Sequence, residues 1–180
     1  MKFSTSLAWI SLVATSFVAY KVLTNHVWSP STEIGKKIVK IGIVDMIGPF
    51  WNEDVVRPLF EKYGSEGRNY AANMYLELPF CDGVFPFFFA TTLFLFLYIN
   101  QPSRPWMCLF ALLYGACDLG ENASVIRLLR TYPHFDPIAL TVGPMFSFAK
   151  NIFVLFSVVG IVQGFISSFI RNSSKEEKNE

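Results

Sequence analysis

Asp118, Glu121 and Asn122 stand at i, i+3 and i+4, so a helix carries them on one face, with Tyr114 one turn earlier on the same stripe. Around them the chain is apolar. The run from Trp106 to Leu129, WMCLFALLYGACDLGENASVIRLL, is long enough to cross a bilayer. An ionised carboxylate at mid-bilayer costs roughly 2.5–3.5 kcal/mol on insertion scales. Other elements must therefore turn polar groups toward this stripe. Paired carboxyls can take and give a proton, which is the chemistry of general acid/base work. They can also accept hydrogen bonds from a bound polar group.

Three further residues complete the set. LELPFCDGVFPFFF contributes Glu77 and Asp82, and Lys150 interrupts the last apolar run. Asp118 lies twelve residues before Arg130, and Lys150 thirteen after Pro137. At about 1.5 Å per residue, antiparallel neighbouring helices bring those two to one level. Asp82 lies eighteen residues before Asn100, while Glu121 and Asn122 lie sixteen and seventeen after Pro105, so they share a level as well. The expected binding site is Glu77, Asp82, Tyr114, Asp118, Glu121, Asn122 and Lys150, sunk from the side of the long first loop. Asp118, Glu121 and Asp82 are the catalytic candidates.

Each member also has a plain reading. Asp118 with Lys150 is an ion pair tying two helices, and Asn122 is an interhelical hydrogen bonder. Asp82 caps backbone amides beside Gly83 and Pro86, and Glu77 sits among headgroups. The count resists this reading. Four acids face one lysine, so compensation must come from protons or from Arg68, Arg127 and Arg130. Intramembrane acids in excess are a functional candidate by default.

Composition sets the environment. Of 180 residues 52% are hydrophobic and 16% charged, with nineteen Phe and a mean hydropathy of +0.39. Soluble domains carry about 25% charged residues, so the balance points to a membrane protein. A net charge of +1 and the lack of a basic groove or RNA-binding motif exclude a nucleic-acid partner. Cys81, Cys108 and Cys117 show no CxxC spacing, which argues against a disulfide framework. Two histidines, both in expected loops, argue against a metal site, and no cofactor is implied. No Ser or Cys stands beside a His, so nucleophilic hydrolysis is poorly supported.

These patterns predict an all-α fold: an integral membrane four-helix bundle in one domain, 1–170, with spans at about 4–23, 76–99, 106–129 and 140–168. The first could also be a signal peptide, but VATSFVAYK offers no clean small-x-small cleavage site before the charges resume, and an uncleaved span is favoured. Residues 24–75 form an interfacial loop with a short amphipathic helical segment. Within it Asn52 should cap a helix that buries Val55, Val56, Leu59 and Phe60 and ends at Gly64. Ser65 should then cap a second helix running into the next span. NQPSRP, Asn100 to Pro105, is a tight turn between antiparallel neighbours. Residues 171–180 form a disordered polar tail. Near the spans, eight Lys and Arg on the loop side against five on the terminal side favour a cytosolic loop side.

Taken in order, IVD (Ile43 to Asp45), WN…YG (Trp51 to Gly64), ELPFCDGVFP (Glu77 to Pro86), DLGEN (Asp118 to Asn122) and a final span with Lys150 resemble a family of small, uncharacterised four-span integral membrane proteins. The resemblance implies the architecture and the choice of polar residues, but no reaction. The expected function is binding or carrying a lipid, sterol or small amphipathic molecule in an intramembrane acidic pocket. The alternatives are a metal-independent enzyme acting on a lipid or sterol by carboxyl acid/base chemistry, and a structural subunit of a larger membrane complex. The implied partners are the bilayer, a lipid or sterol ligand and a membrane protein, in the endoplasmic reticulum or plasma membrane.

Overall fold

The computed structural model describes residues 2–22, 33–34, 36–37, 50–76 and 84–176. Among them the chain is all-helical: α1 (Lys2–Val22), α2 (Glu53–Met74), α3 (Phe85–Asn100), α4 (Cys108–Thr131) and α5 (Pro137–Glu176), with a 3-10 turn at Pro105–Met107 before α4. The α4 and α5 helices form the most extensive pair, α3 packs on both, α1 lies against α3, and α2 docks on α4.

Local chemistry explains the boundaries. Asn52 is extended at φ −138°, and its Oδ1 accepts the Val55 amide at 3.2 Å. Glu53 and Asp54 complement the positive end of α2, and Arg57 pairs with Glu53 one turn on. The helix breaks at Gly64, where φ is +70°, a conformation that side chains with a Cβ disfavour. Two helical segments thus meet at the expected residue, and the second ends at Met74. Asp136 caps α5 by accepting the amides of Ile138 and Ala139 at 2.8 and 3.1 Å, with Pro137 as the first helical residue.

Two apolar cores result. At one end Val56, Leu59, Phe60 and Tyr63 of α2 meet Val125, Leu128 and Leu129 of α4. Phe60 stacks with Tyr63 and meets Tyr132 and Phe135 edge-on. Arg68 lies 4.1 Å over the Tyr132 ring and donates to the Phe60 carbonyl at 3.0 Å. Towards the other end Leu93 and Leu97 of α3 pack on Met107, Ala111 and Tyr114. The polar stripe of α4 lies between the two cores.

Several expectations change here. Val55 is exposed, unlike Val56, Leu59 and Phe60. Residues 53–76 do more than lie along a surface, because their buried stripe builds the core over the α4–α5 turn. The described part of the expected second span starts at Phe85, where Pro86 takes an early helical position. Glu77 and Asp82 lie outside the described residues, as does the stretch from 38 to 49. Past 170, where a disordered tail was expected, α5 runs on to Glu176, since neither Gly nor Pro follows Gly164.

Among the described residues one helical stretch, Pro137–Ile170, is long and apolar enough to cross a membrane, with a mean hydropathy of 2.1 and only 17% of its most apolar window buried. The apolar parts of α1 and α3, Thr5–Tyr20 and Phe85–Asn100, are shorter. At 24 residues α4 has the length, but Asp118, Glu121, Arg127 and Arg130 dilute its apolarity.

Candidate functional site

The stripe on α4 meets α5 as the depth match requires. The Lys150 ammonium donates to Asp118 Oδ1 at 2.7 Å and lies 2.5 Å from Glu121 Oε2. The second contact is ionic: no donor is aligned on Oε2 as a hydrogen bond. Tyr114 donates its hydroxyl to Asp118 Oδ2 at 3.0 Å, and its ring meets Phe89 of α3 edge-on. Asp118, Glu121 and Asn122 are all buried, Glu121 to 1% exposure, while the Lys150 side chain keeps 21%.

Close packing permits this geometry. A Cβ at Gly120 would collide with the Phe146 ring, and one at Gly143 with the Trp51 indole. Small residues let membrane-type helices approach closely. Nearby polar groups turn away from the acids: Ser124 Oγ donates to the Gly120 carbonyl and Asn151 Nδ2 to the Ser147 carbonyl, at 2.8 and 2.7 Å.

Sequence reasoning left open whether arginines balance the surplus acids. Arg68 is engaged with Tyr132 and the Phe60 carbonyl, and Arg127 pairs with Asp136 at 2.5 Å. Arg130 is exposed. Among the described residues, then, two carboxyls share one ammonium. The expected approach of Asp82 to Glu121 and Asn122, and any part for Glu77, lie outside the described residues. No cluster of His, Cys, Asp and Glu among the described residues has the geometry for a metal ion. Cys108 and Cys117 are buried free thiols.

Trp51 is the residue that sequence reasoning missed. It precedes the α2 cap and is 2% exposed. Its ring fills the space beside Gly143 and Ser124, one turn of α4 beyond Glu121, and its Nε1 is buried without an acceptor. The indole thus seats α2 against α5 at Gly143. A hint was present in Gly143 before Pro144, a site without a side chain in an otherwise bulky helix.

On another face of α4 an apolar groove of about 580 Å³ runs along α3, lined by Pro86, Phe87, Ala90, Leu112, Gly115 and Leu119 among others. Leu119 is adjacent in sequence to Asp118, so the groove begins within a turn of the acids. Comparison with family models, curated proteins and solved structures finds no match for this chain.

Proposed function

We propose that this chain is a multi-pass membrane protein that binds a lipid or other amphipathic molecule, its polar group at Asp118 and Glu121 and its apolar part along the α3–α4 groove. The observation that carries this reading is the buried imbalance of two carboxyls against one lysine. Such a cluster needs a further positive charge, proton or donor. An amine or hydroxyl head supplies it, and the groove gives a hydrocarbon tail a place within one helical turn. Outward-facing Trp9, Val13 and Phe17 on α1 and Leu155, Val159, Val162 and Phe169 on α5 support lipid contact, since such apolar exposure is unfavourable in water. The four-span arrangement belongs to this proposal, with α1, α3, α4 and α5 crossing.

A structural tie between α4 and α5 is the competing reading, favoured by the direct contact of Lys150 with both acids. Native mass spectrometry of the detergent-purified protein separates the two. Binding predicts a co-purified amphipathic species at defined stoichiometry that is depleted in Glu121→Gln. A ligand-free mass, or an adduct unchanged in Glu121→Gln, would leave the tie alone.

A further inference from the structure

A second polar cavity, of about 660 Å³, opens at the opposite end of the bundle, where the α3–α4 turn faces α5 between Gln163 and Ser168. Its polar lining includes Ser103 and Arg104 from the turn and Gln163, Ser167 and Ser168 from α5. No Asp or Glu lines it. The turn is held in place by Gln101, buried, whose Nε2 donates to the Gly160 carbonyl of α5 at 2.6 Å. Gly164 allows α5 to lie against Asn100, since a Cβ there would meet the Asn100 backbone.

The polar inventory is rich in donors and holds one charge, that of Arg104. Arg104 brings five N–H donors, three serines bring hydroxyls and Gln163 brings an amide. None of these five side chains has a hydrogen-bond or ion partner among the described residues. The 3-10 turn Pro105–Met107 and α4 also begin here, and a helix start adds partial positive charge. Donors from two elements, a cation and no carboxylate around one cavity suit an oxyanion with several acceptor atoms. Ile166 walls the cavity, and Trp106, Phe165 and Phe169 are exposed close by in sequence. Tryptophan beside an apolar band is the pattern of the headgroup layer.

We infer that this cavity seats a phosphate group, through Arg104, Ser103, Ser167 and Ser168. A phospholipid headgroup is the expected source if the helices span a bilayer, and free phosphate is the other. The site is independent of the acidic cluster.

The test is a titration of the full chain in detergent, read by native mass spectrometry. Short-chain phosphatidylglycerol is added with or without inorganic phosphate, and diacylglycerol of the same chains is the comparison. The phosphatidylglycerol adduct should exceed the diacylglycerol adduct and weaken about tenfold in Arg104→Gln, as expected for a lost charged hydrogen bond. Ser167→Ala with Ser168→Ala should weaken it further. Arg57→Gln, which removes an arginine outside both sites, should leave it unchanged. Displacement by inorganic phosphate at equal concentration would support the seat and assign it to free phosphate. Equal affinity of the wild type and Arg104→Gln, with both melting alike, would overturn the inference. Arg104→Lys, which keeps the charge but loses the planar fork, serves if Arg104→Gln does not fold, and unchanged affinity in it would count equally against the seat.

Discussion

Two buried polar clusters tie neighbouring helices together, and they differ in kind. Between α1 and α3, Thr92 Oγ1 lies 2.8 Å from both Ser11 Oγ and Thr15 Oγ1, and it reaches its own Phe88 carbonyl at 3.0 Å. Every member is neutral, and each hydroxyl can donate one bond and accept others. Between α4 and α5, two carboxyls, one phenol and one ammonium meet. The first cluster is self-contained, a form of helix glue worth about 0.6 kcal/mol per contact in membrane bundles. The second carries more acid than base. The hydroxyl cluster is satisfied within itself, whereas the acidic cluster has room for a further charge, proton or donor, and that difference makes it our candidate for function.

The largest expected effect falls on the charged cluster. Lys150→Met strands both carboxyls, and breaking a buried pair in this way costs about 3–5 kcal/mol. Asp118→Asn should lose less, because Lys150 keeps Glu121. Thermal or denaturant unfolding in detergent measures both variants, and equal or reversed losses would dissolve the contrast. Adding Glu121→Gln to Lys150→Met should restore part of the loss, by removing one of the stranded acids. Purely additive losses would show that charge imbalance is not what the lysine offsets.

Next comes the notch that seats Trp51. Gly143→Ala places a methyl group where the Trp51 indole lies, and overpacking of this sort costs about 1–3 kcal/mol. The expected signature is a red-shifted emission that disappears when Trp51→Phe is combined with it. Unchanged emission would mean that the indole does not fill this space.

On the neutral side, Thr92→Val removes the shared hydroxyl while preserving shape. It should cost on the order of 1 kcal/mol and leave any co-purified ligand in place. A loss matching that of Lys150→Met would put the two clusters in one class.

The smallest effect belongs to the ion pair that joins the end of α4 to the start of α5. Arg127 beside Asp136, and then the Ala139 amide, holds that carboxyl below its ordinary pKa of 3.8. A depressed folded-state pKa contributes stability above the unfolded value and loses it as pH falls through the folded one. Wild-type stability should therefore drop between about pH 5 and pH 2 by more than that of Asp136→Asn. Identical acid limbs would show that the pair contributes nothing.

The legible parts of this molecule are those set by local chemistry or by helix rise. Asn52 as a cap and Gly64 as a break follow from side-chain hydrogen bonding and from φ preference. The meeting of Lys150 with Asp118 follows from counting residues to a shared turn. Glu121, grouped with Lys150 in the expected site, touches it directly, one turn further along the same face. Trp51 was illegible because its partner, Gly143, is 92 positions away, and an indole fits that notch only after α2 has docked. The hydroxyl cluster was missed for a related reason: Ser11, Thr15 and Thr92 lie in apolar runs where isolated hydroxyls give no periodic signal. The start of α3 at Phe85 reflects Pro86, which suits the first turn of a helix better than its interior.

The most direct test asks what touches the charged cluster. A photoreactive phenylalanine analogue would replace Tyr114, buried beside Asp118, and in a second variant Ser11, in the neutral cluster. After irradiation of the protein in native membranes, the account predicts an amphipathic adduct of defined mass at position 114 and none of that mass at position 11. Equal lipid adducts at both positions, or none at 114, would contradict the claim that the acidic cluster is a binding site.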